Sequence, residues 1–237
     1  MPDSKLIVAI DVADFNEATE WVARLSPRVH LFKVGSVLFT KEGPRVIEMI
    51  RKKKGEVFLD LKFHDIPNTV SEACRVATRL GVWMTNLHIV GGEKVLEETV
   101  SAVKEEAALK KLRKPLLLGV TLLTHLDRSS LGYLGWDLPG EIEGEVVHLA
   151  KIAKSAGLDG AICSPQEIRP VREACGEEFV IVTPGIRPVG SLLHDQKRVS
   201  SPKEAVQAGA DYIVVGRPVL ESKDPLKMVE SILEEIR

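Results

Sequence analysis

Cysteine is scarce in this chain and never arranged in pairs. Cys74, Cys163 and Cys175 are the only three, no CxxC spacing joins them, and an odd count suits a reducing cytoplasm better than a disulfide framework. Cys163 follows an apolar run and is read as packing rather than as a nucleophile, because free cysteine is among the most buried residue types. No apolar stretch is long enough to cross a bilayer and no basic–apolar leader opens the sequence, so a cytoplasmic location without a membrane partner is expected. Charge of one sign is not in excess either. A formal net charge of −2 argues against a general polyanion binder. The basic run "RKKKG" at 51–55 stands where a helix would end and complements its dipole, so nucleic acid is not an expected partner.

Two motifs are missing as well. The first strand-like run continues as "IDVADFNEA", without the GxGxxG of a dinucleotide-binding sheet. His64, His88, His125 and His194 show no ligand spacing such as HExxH, and His88 reads as a hydrogen-bonded residue of a site wall. No metal and no cofactor is expected.

What the chain does have is a repeat of apolar strand-like runs, each followed by an amphipathic segment. The runs are "KLIVAID" (5–11), "LFKVG" (31–35), "VFLDLK" (57–62), "TNLHIV" (85–90), "PLLLGVTLL" (115–123), "DGAICS" (159–164), "FVIVTPG" (179–185) and "DYIVVG" (211–216). Near-continuous apolar strands alternating with helices indicate a parallel sheet covered by those helices. Eight such units in 237 residues predict an α/β chain folded as one (β/α)8 TIM barrel, a single catalytic domain over 1–237, in preference to an open doubly wound sheet.

In such a barrel the C-terminal strand ends carry the site, and the ionisable residues of this sequence collect there. Asp11 ends the first run, Lys33 the second, and Asp60 and Lys62 the third, with His88 near the end of the fourth. Within "FLDLKFHDIPNTV" (58–70), strand alternation puts Asp60 and Lys62 on one face, and Asp65 follows before the turn at Pro67. A structural ion-pair network is the bland explanation of any one such pair; four ionisable residues at successive strand ends favour a functional site. The carboxylates could hold Mg²⁺, but Lys62 already supplies a countercharge. At the other end of the chain, "VTPGIRPVGSLLHDQKRVSSP" (182–202) is a long loop containing Arg187 and Gln196, and "VVGRPVL" (214–220) brings Gly216 and Arg217 to the start of a helix at Pro218. Barrels commonly bind phosphate with these two connections, where glycine permits close backbone approach and arginine offers a two-pronged donor. The longer loop has the length of a lid.

The segments "IVAIDV", "FKVG", "DLKFHDIPNTV", "GVTLLT", "TPGIRP", "DQKRV" and "VGRPV" together resemble the orotidine 5′-monophosphate decarboxylase family, in order and across essentially the whole chain. DxKxxDIPNTV is the specific part of the match, since DxKxxD alone also occurs in related barrels that act on keto-sugar phosphates. The resemblance implies that Lys62 is the proton donor, with Asp60 beside it facing the substrate carboxylate. It implies that Asp65 and Thr69 reach into the site of a second subunit, making a homodimer with shared active sites. Asp11 and Lys33 would hold the ribose hydroxyls, and Thr124 would lie against the pyrimidine, although Thr121 is only three residues away. Arg187, Gln196, Gly216 and Arg217 would hold the 5′-phosphate.

The chemistry fits the residues. Loss of CO2 from this pyrimidine leaves an electron pair on a ring carbon with no adjacent carbonyl to absorb it. A fixed lysine cation can stabilise that charge and then protonate the carbon. Carboxylates beside a lysine favour its ammonium form, which also weighs against a Schiff-base aldolase, whose lysine must be neutral. A metal-dependent keto-sugar-phosphate decarboxylase or aldolase is the alternative enzyme. A non-catalytic phosphate-binding barrel is the alternative outside catalysis; the intact Lys–Asp constellation argues against it.

Overall fold

The computed structural model describes residues 4–136, 140–188 and 200–237. Eight parallel strands close into a barrel in chain order, with the last pairing to the first: β1 (Leu6–Ala9), β2 (Leu31–Gly35), β3 (Glu56–Phe63), β4 (Met84–His88), β5 (Leu116–Val120), β6 (Gly160–Ile162), β7 (Val180–Thr183) and β8 (Tyr212–Val215). Around them run α1 (Phe15–Leu25), α2 (Ser36–Glu42), α3 (Arg45–Lys52), α4 (Pro67–Leu80), α5 (Glu93–Lys110), α6 (Arg128–Tyr133), α7 (Ile142–Ser155), α8 (Ile168–Cys175), α9 (Pro202–Gln207), α10 (Arg217–Leu220) and α11 (Pro225–Glu235). No helix among the described residues is long and apolar enough to cross a membrane.

The strict (β/α)8 expectation, one helix per strand, needs correction. The barrel is TIM-barrel-like, but the connections after β2, β5 and β8 each carry two helices. Local chemistry explains the extra breaks. Gly43 (φ +60°) caps the end of α2, and Pro44 then restarts the chain as α3. Asp127 caps α6 by accepting the Ser130 N–H, and Gly135 (φ +77°) turns the chain soon after that helix ends. Asp224 caps α11 through the Lys227 N–H, separating it from the single turn of α10. Most strands are shorter than the apolar runs that foretell them, whereas β2 matches its run and β3 is longer than its run by one residue at each end.

Strand alternation sorts the core into two clusters. Ile7, Ala9, Leu31, Phe58, Met84, Leu118, Val120, Ile162, Val182 and Val214 fill the barrel interior. Leu6, Val8, Phe32, Val34, Val57, Leu59, Leu117 and Ile213 face outward and pack under the helices. These inward rows fill the barrel interior with buried side chains, and the polar cavity lies at its top. At the lower edge, the buried Arg172 guanidinium donates to the carbonyls of Gly176, Phe179 and Gly209 and to Asp211, tying α8 to the starts of β7 and β8.

Gly160 shows how tightly β6 is held. A Cβ there would lie 2.1 Å from the Val180 carbonyl oxygen, which is backbone and cannot rotate away. Gly160→Ala is therefore expected to destabilise the fold by about 1–3 kcal/mol, the scale of overpacking a close-packed interior. Urea unfolding checks this; an unchanged midpoint would show that β6 and β7 separate more easily than their register implies.

Candidate active site

The inward row of each strand turns polar at its C-terminal end. Following Ile7 and Ala9 the next inward position is Asp11; following Leu31 it is Lys33; following Phe58 it is Asp60; following Met84 it is Asn86. Four polar residues from adjacent parts of the barrel thus converge above an apolar plug.

They form an alternating line of charge. The Lys33 ammonium donates to Asp11 Oδ1 at 2.9 Å and lies 3.3 Å from Asp60 Oδ2. The Lys62 ammonium donates to Asp60 Oδ1 at 2.6 Å. Burial opposes the Asp60 carboxylate, but the charges of Lys33 and Lys62, with hydrogen bonds from Lys62 and Asn86, outweigh it and hold its pKa below 3.8. Burial likewise opposes the Lys33 ammonium, and the charges of Asp60 and Asp11 outweigh it, holding its pKa above 10.5.

Lys62 occupies an irregular part of β3. Leu59 pairs with Thr85 and Phe63 with Leu87, so a four-residue step on β3 faces a two-residue step on β4. This bulge puts Lys62 at φ +50°, a conformation that a residue with a side chain rarely adopts and that costs on the order of 1–3 kcal/mol. Simple alternation therefore gives the wrong reason for the Asp60–Lys62 contact. The bulge turns the backbone, and the long lysine stem reaches back to the carboxylate. Beside it, His64 and His88 meet edge to face with centroids 5.2 Å apart. Burial, then the proximity of His64 and Lys62, lowers the pKa of His88, and contrary to the expectation of a site wall His88 does not line the cavity that Asp60 and Lys62 face.

A cavity of about 240 Å³ opens above this line. Asp11, Lys33, Asp60, Lys62, Thr124, Arg187, Gly216 and Arg217 line it, together with Pro184 and Gly185. Thr124 is thereby separated from Thr121, which is buried and donates its hydroxyl to the Ile162 carbonyl at 2.7 Å. A Cβ on Gly216 would stand 3.3 Å from Ala9 Cβ and 3.4 Å from Asp11 Oδ2, so a side chain there would crowd the cavity wall. The helix after Gly216 is one turn long, Pro218 has no N–H, and the Val219 and Leu220 N–H groups both donate to the Gly216 carbonyl, so this turn is too short for a macrodipole and its contribution to the cavity is Gly216 and the Arg217 side chain.

Two expected binding or catalytic residues are not brought in within one chain. Asp65 and Thr69 are exposed and do not line the cavity, and Asp65 Oδ1 accepts from the Ile66 N–H at 2.6 Å without an ion pair to Lys62. Within one chain, the ammonium is not held between two carboxylates; a carboxylate, Asp60, is held between two ammonium groups. Gln196 lies outside the described residues. The residue that sequence reading missed is Asn86. Its signal was available: it continues the inward row from Met84 in the run that also contains His88. Among the described residues no group of three His, Cys, Asp or Glu side chains is placed to hold a metal ion.

Comparison with known proteins converges on one family. A family model described as Orotidine 5'-phosphate decarboxylase / HUMPS family matches residues 4–232. The orotidine 5'-phosphate decarboxylase of Syntrophotalea carbinolica is 50% identical over 232 residues, spanning 98% of this chain and 94% of that protein. That of Moorella thermoacetica is 49% identical over 232 residues, spanning 98% of this chain and 92% of its own length. Among solved structures, the orotidine 5'-phosphate decarboxylase of Lactobacillus acidophilus superposes with a TM-score of 0.83 at 33% identity, covering 99% of this chain and 100% of that one.

The charge line has a signed pH signature. Asp60, with a lowered folded pKa, supports folding above 3.8 and loses that contribution as pH falls through its folded value. Lys33, with a raised folded pKa, supports folding below 10.5 and loses it as pH rises through its folded value. The stability difference between wild type and Asp60→Asn should stay level through neutral pH and shrink once pH drops below about 3.8. Urea unfolding across that range measures it, and a pH-independent difference would mean that Asp60 is not held as an anion by its neighbours.

Proposed function

The chain belongs to the orotidine 5′-phosphate decarboxylase / HUMPS family, and we infer that its own side chains, led by Lys62, carry out the reaction without a cofactor. It is a carboxy-lyase that converts orotidine 5′-monophosphate to uridine 5′-monophosphate and CO2 in pyrimidine nucleotide synthesis. A keto-sugar-phosphate enzyme is the alternative that the shared DxKxxD pattern leaves open. The decarboxylase names of relatives near 50% identity over almost the full chain favour the nucleotide substrate.

The observation that carries the residue assignment is the 2.6 Å contact of Lys62 with Asp60, in one cavity with Arg187 and Arg217. In our reading Arg187, Arg217 and the Gly216 backbone hold the 5′-phosphate, with Gln196 as a further donor. Asp11 and Lys33 bind the ribose hydroxyls, and Thr124 lies against the pyrimidine. The substrate carboxylate then sits toward Asp60. When the bond from the ring carbon to the carboxylate carbon breaks, CO2 leaves and the electron pair remains on the ring carbon. The Lys62 ammonium, already fixed in place, stabilises that charge and transfers a proton to it, giving the new C–H bond and a neutral amine that solvent reprotonates. Binding energy from the distant phosphate offsets the crowding of two carboxylates around Asp60.

Asp65 and Thr69 fit this reading as contributions to a neighbouring site in a homodimer. Both are exposed, as is the apolar Ile66 between them (66%), at the rim where β3 hands over to α4. The three described cysteines are free and buried, which suits a reducing compartment, and a cytoplasmic location is part of the proposal.

Lys62→Ala should lower kcat by at least about 10,000-fold, the combined scale of proton transfer and charge stabilisation, while folding and nucleotide binding persist. Steady-state rates beside a thermal melt and uridine monophosphate titration decide it, and wild-type-like turnover would remove Lys62 from the chemistry. Sharing of sites has its own test. Mixed Lys62→Ala and Asp65→Asn chains, refolded together, should recover activity that neither has alone, because each hybrid dimer regains one intact site. No recovery in confirmed hybrids would confine Asp65 to its own chain.

A further inference from the structure

Asn86 is fully buried at the top of β4, and its amide meets the two residues on which the proposed chemistry rests. Its Oδ1 accepts the Lys62 backbone N–H at 2.7 Å, and its Nδ2 donates to Asp60 Oδ1 at 2.7 Å. That same Asp60 oxygen accepts the Lys62 ammonium at 2.6 Å, closing a ring of three residues. Only one orientation of the amide satisfies both contacts, because a backbone N–H can only donate and an ionised carboxylate can only accept. The ring fills the gap left by the bulge. Where β3 takes four residues against two of β4, no regular ladder bond is available for Lys62, and the Asn86 side chain supplies the acceptor. Asn86 itself is fixed from the other side, since β4 pairs in unbroken register with β5 from Met84 to His88.

We propose that Asn86 is a positioning residue of the decarboxylation: it holds Lys62 in its left-handed backbone conformation and orients the Asp60 carboxylate, so that ammonium and carboxylate keep a fixed separation as charge develops. The proposal rests on the reading of Lys62 as proton donor. Asn86 does not line the cavity, so it acts through its neighbours and touches no substrate. The charged or titratable groups gathered around it are Asp60 and Lys62 from β3, Lys33 from β2, Asp11 beyond β1, and the His64–His88 pair. A purely structural role, patching the sheet at its bulge, would leave stability dependent on Asn86 while turnover followed the amount of folded protein.

Two substitutions separate these roles. Asn86→Ala removes both hydrogen bonds and should lower kcat about 100-fold, the scale of a small misplacement of a catalytic group, with KM and uridine monophosphate affinity little changed. Asn86→Asp is nearly isosteric and keeps the acceptor for Lys62, but it sets a second carboxylate against Asp60. At neutral pH it should be as impaired as Asn86→Ala. As pH is lowered the carboxylate pair takes up one proton, the new hydroxyl donates to Asp60 as the amide did, and kcat should recover relative to wild type at the same pH. Recovery in Asn86→Asp and not in Asn86→Ala supports the proposal. Wild-type kcat in either folded variant overturns it, as does a loss in Asn86→Asp whose pH profile runs parallel to wild type. The outcome is separable from the donor assignment: an active Lys62→Ala enzyme sinks that assignment, whereas an inactive Lys62→Ala beside unaffected Asn86 variants sinks only this inference.

Discussion

A single buried carboxylate organises the upper end of this barrel. Asp60 sits where the apolar interior gives way to polar side chains, and an unpaired anion there would be costly. It is made tolerable by Lys33 on one side, Lys62 on the other and the Asn86 amide beneath. Lys33 in turn is steadied by Asp11. Remove Asp60 and two ammonium groups face each other across the site; remove either lysine and part of the carboxylate's compensation is gone. Buried ion pairs are weak evidence for stability, because apolar replacements of similar shape often fold as well or better. A line of alternating charge, assembled from three strands at the mouth of a cavity, is better understood as preorganised electrostatics for the reaction.

That arrangement constrains how the protein can work. The lysine that acts must be charged before the substrate arrives, because it has to be ready when an electron pair is left on carbon. It must also stay put. The bulge in β3 fixes its backbone in a conformation that the sheet alone would not give, and strain of this kind persists only where surrounding contacts impose it. On our account the phosphate contacts at the far end of the chain supply the binding energy that brings the substrate carboxylate close to Asp60, as expected when distant interactions drive crowding at the reacting atoms. The ends of β1 to β3 carry the charges and β4 steadies them through Asn86, while in the proposed reading the segments after β7 and β8 take the phosphate.

Much of this was legible in the sequence because the barrel obeys a simple rule of alternation. The apolar runs located the strands, and their polar ends located Asp11, Lys33, Asp60 and Lys62. That Arg187, Gly216 and Arg217 would share a cavity with those charges was legible from glycine, proline and arginine falling in two late connections. What the sequence hid was irregularity. Nothing in "FLDLKF" announces two extra residues against β4, so alternation reached the Asp60–Lys62 pair for an incomplete reason. The same bulge conceals Asn86, a residue usually read as a turn former, whose importance comes from filling a missing ladder position. Within one chain Asp65 does not meet Lys62, because nearness in sequence past the end of a strand says little about direction: the helix that begins at Pro67 leaves Asp65 exposed at the rim. The doubled helices after β2, β5 and β8 went unseen because a Gly–Pro step or an aspartate cap divides segments whose apolar pattern runs on.

The central claim is that the charges of this chain suffice for the reaction. Its most direct test is the ultraviolet absorbance of orotidine 5′-monophosphate mixed with the purified protein in excess chelator. The account predicts rapid loss of the substrate band and stoichiometric appearance of uridine 5′-monophosphate. A trace that stays flat in chelator and moves only when Mg²⁺ is restored would contradict it, and would assign the strand-end carboxylates to a metal instead of to Lys62.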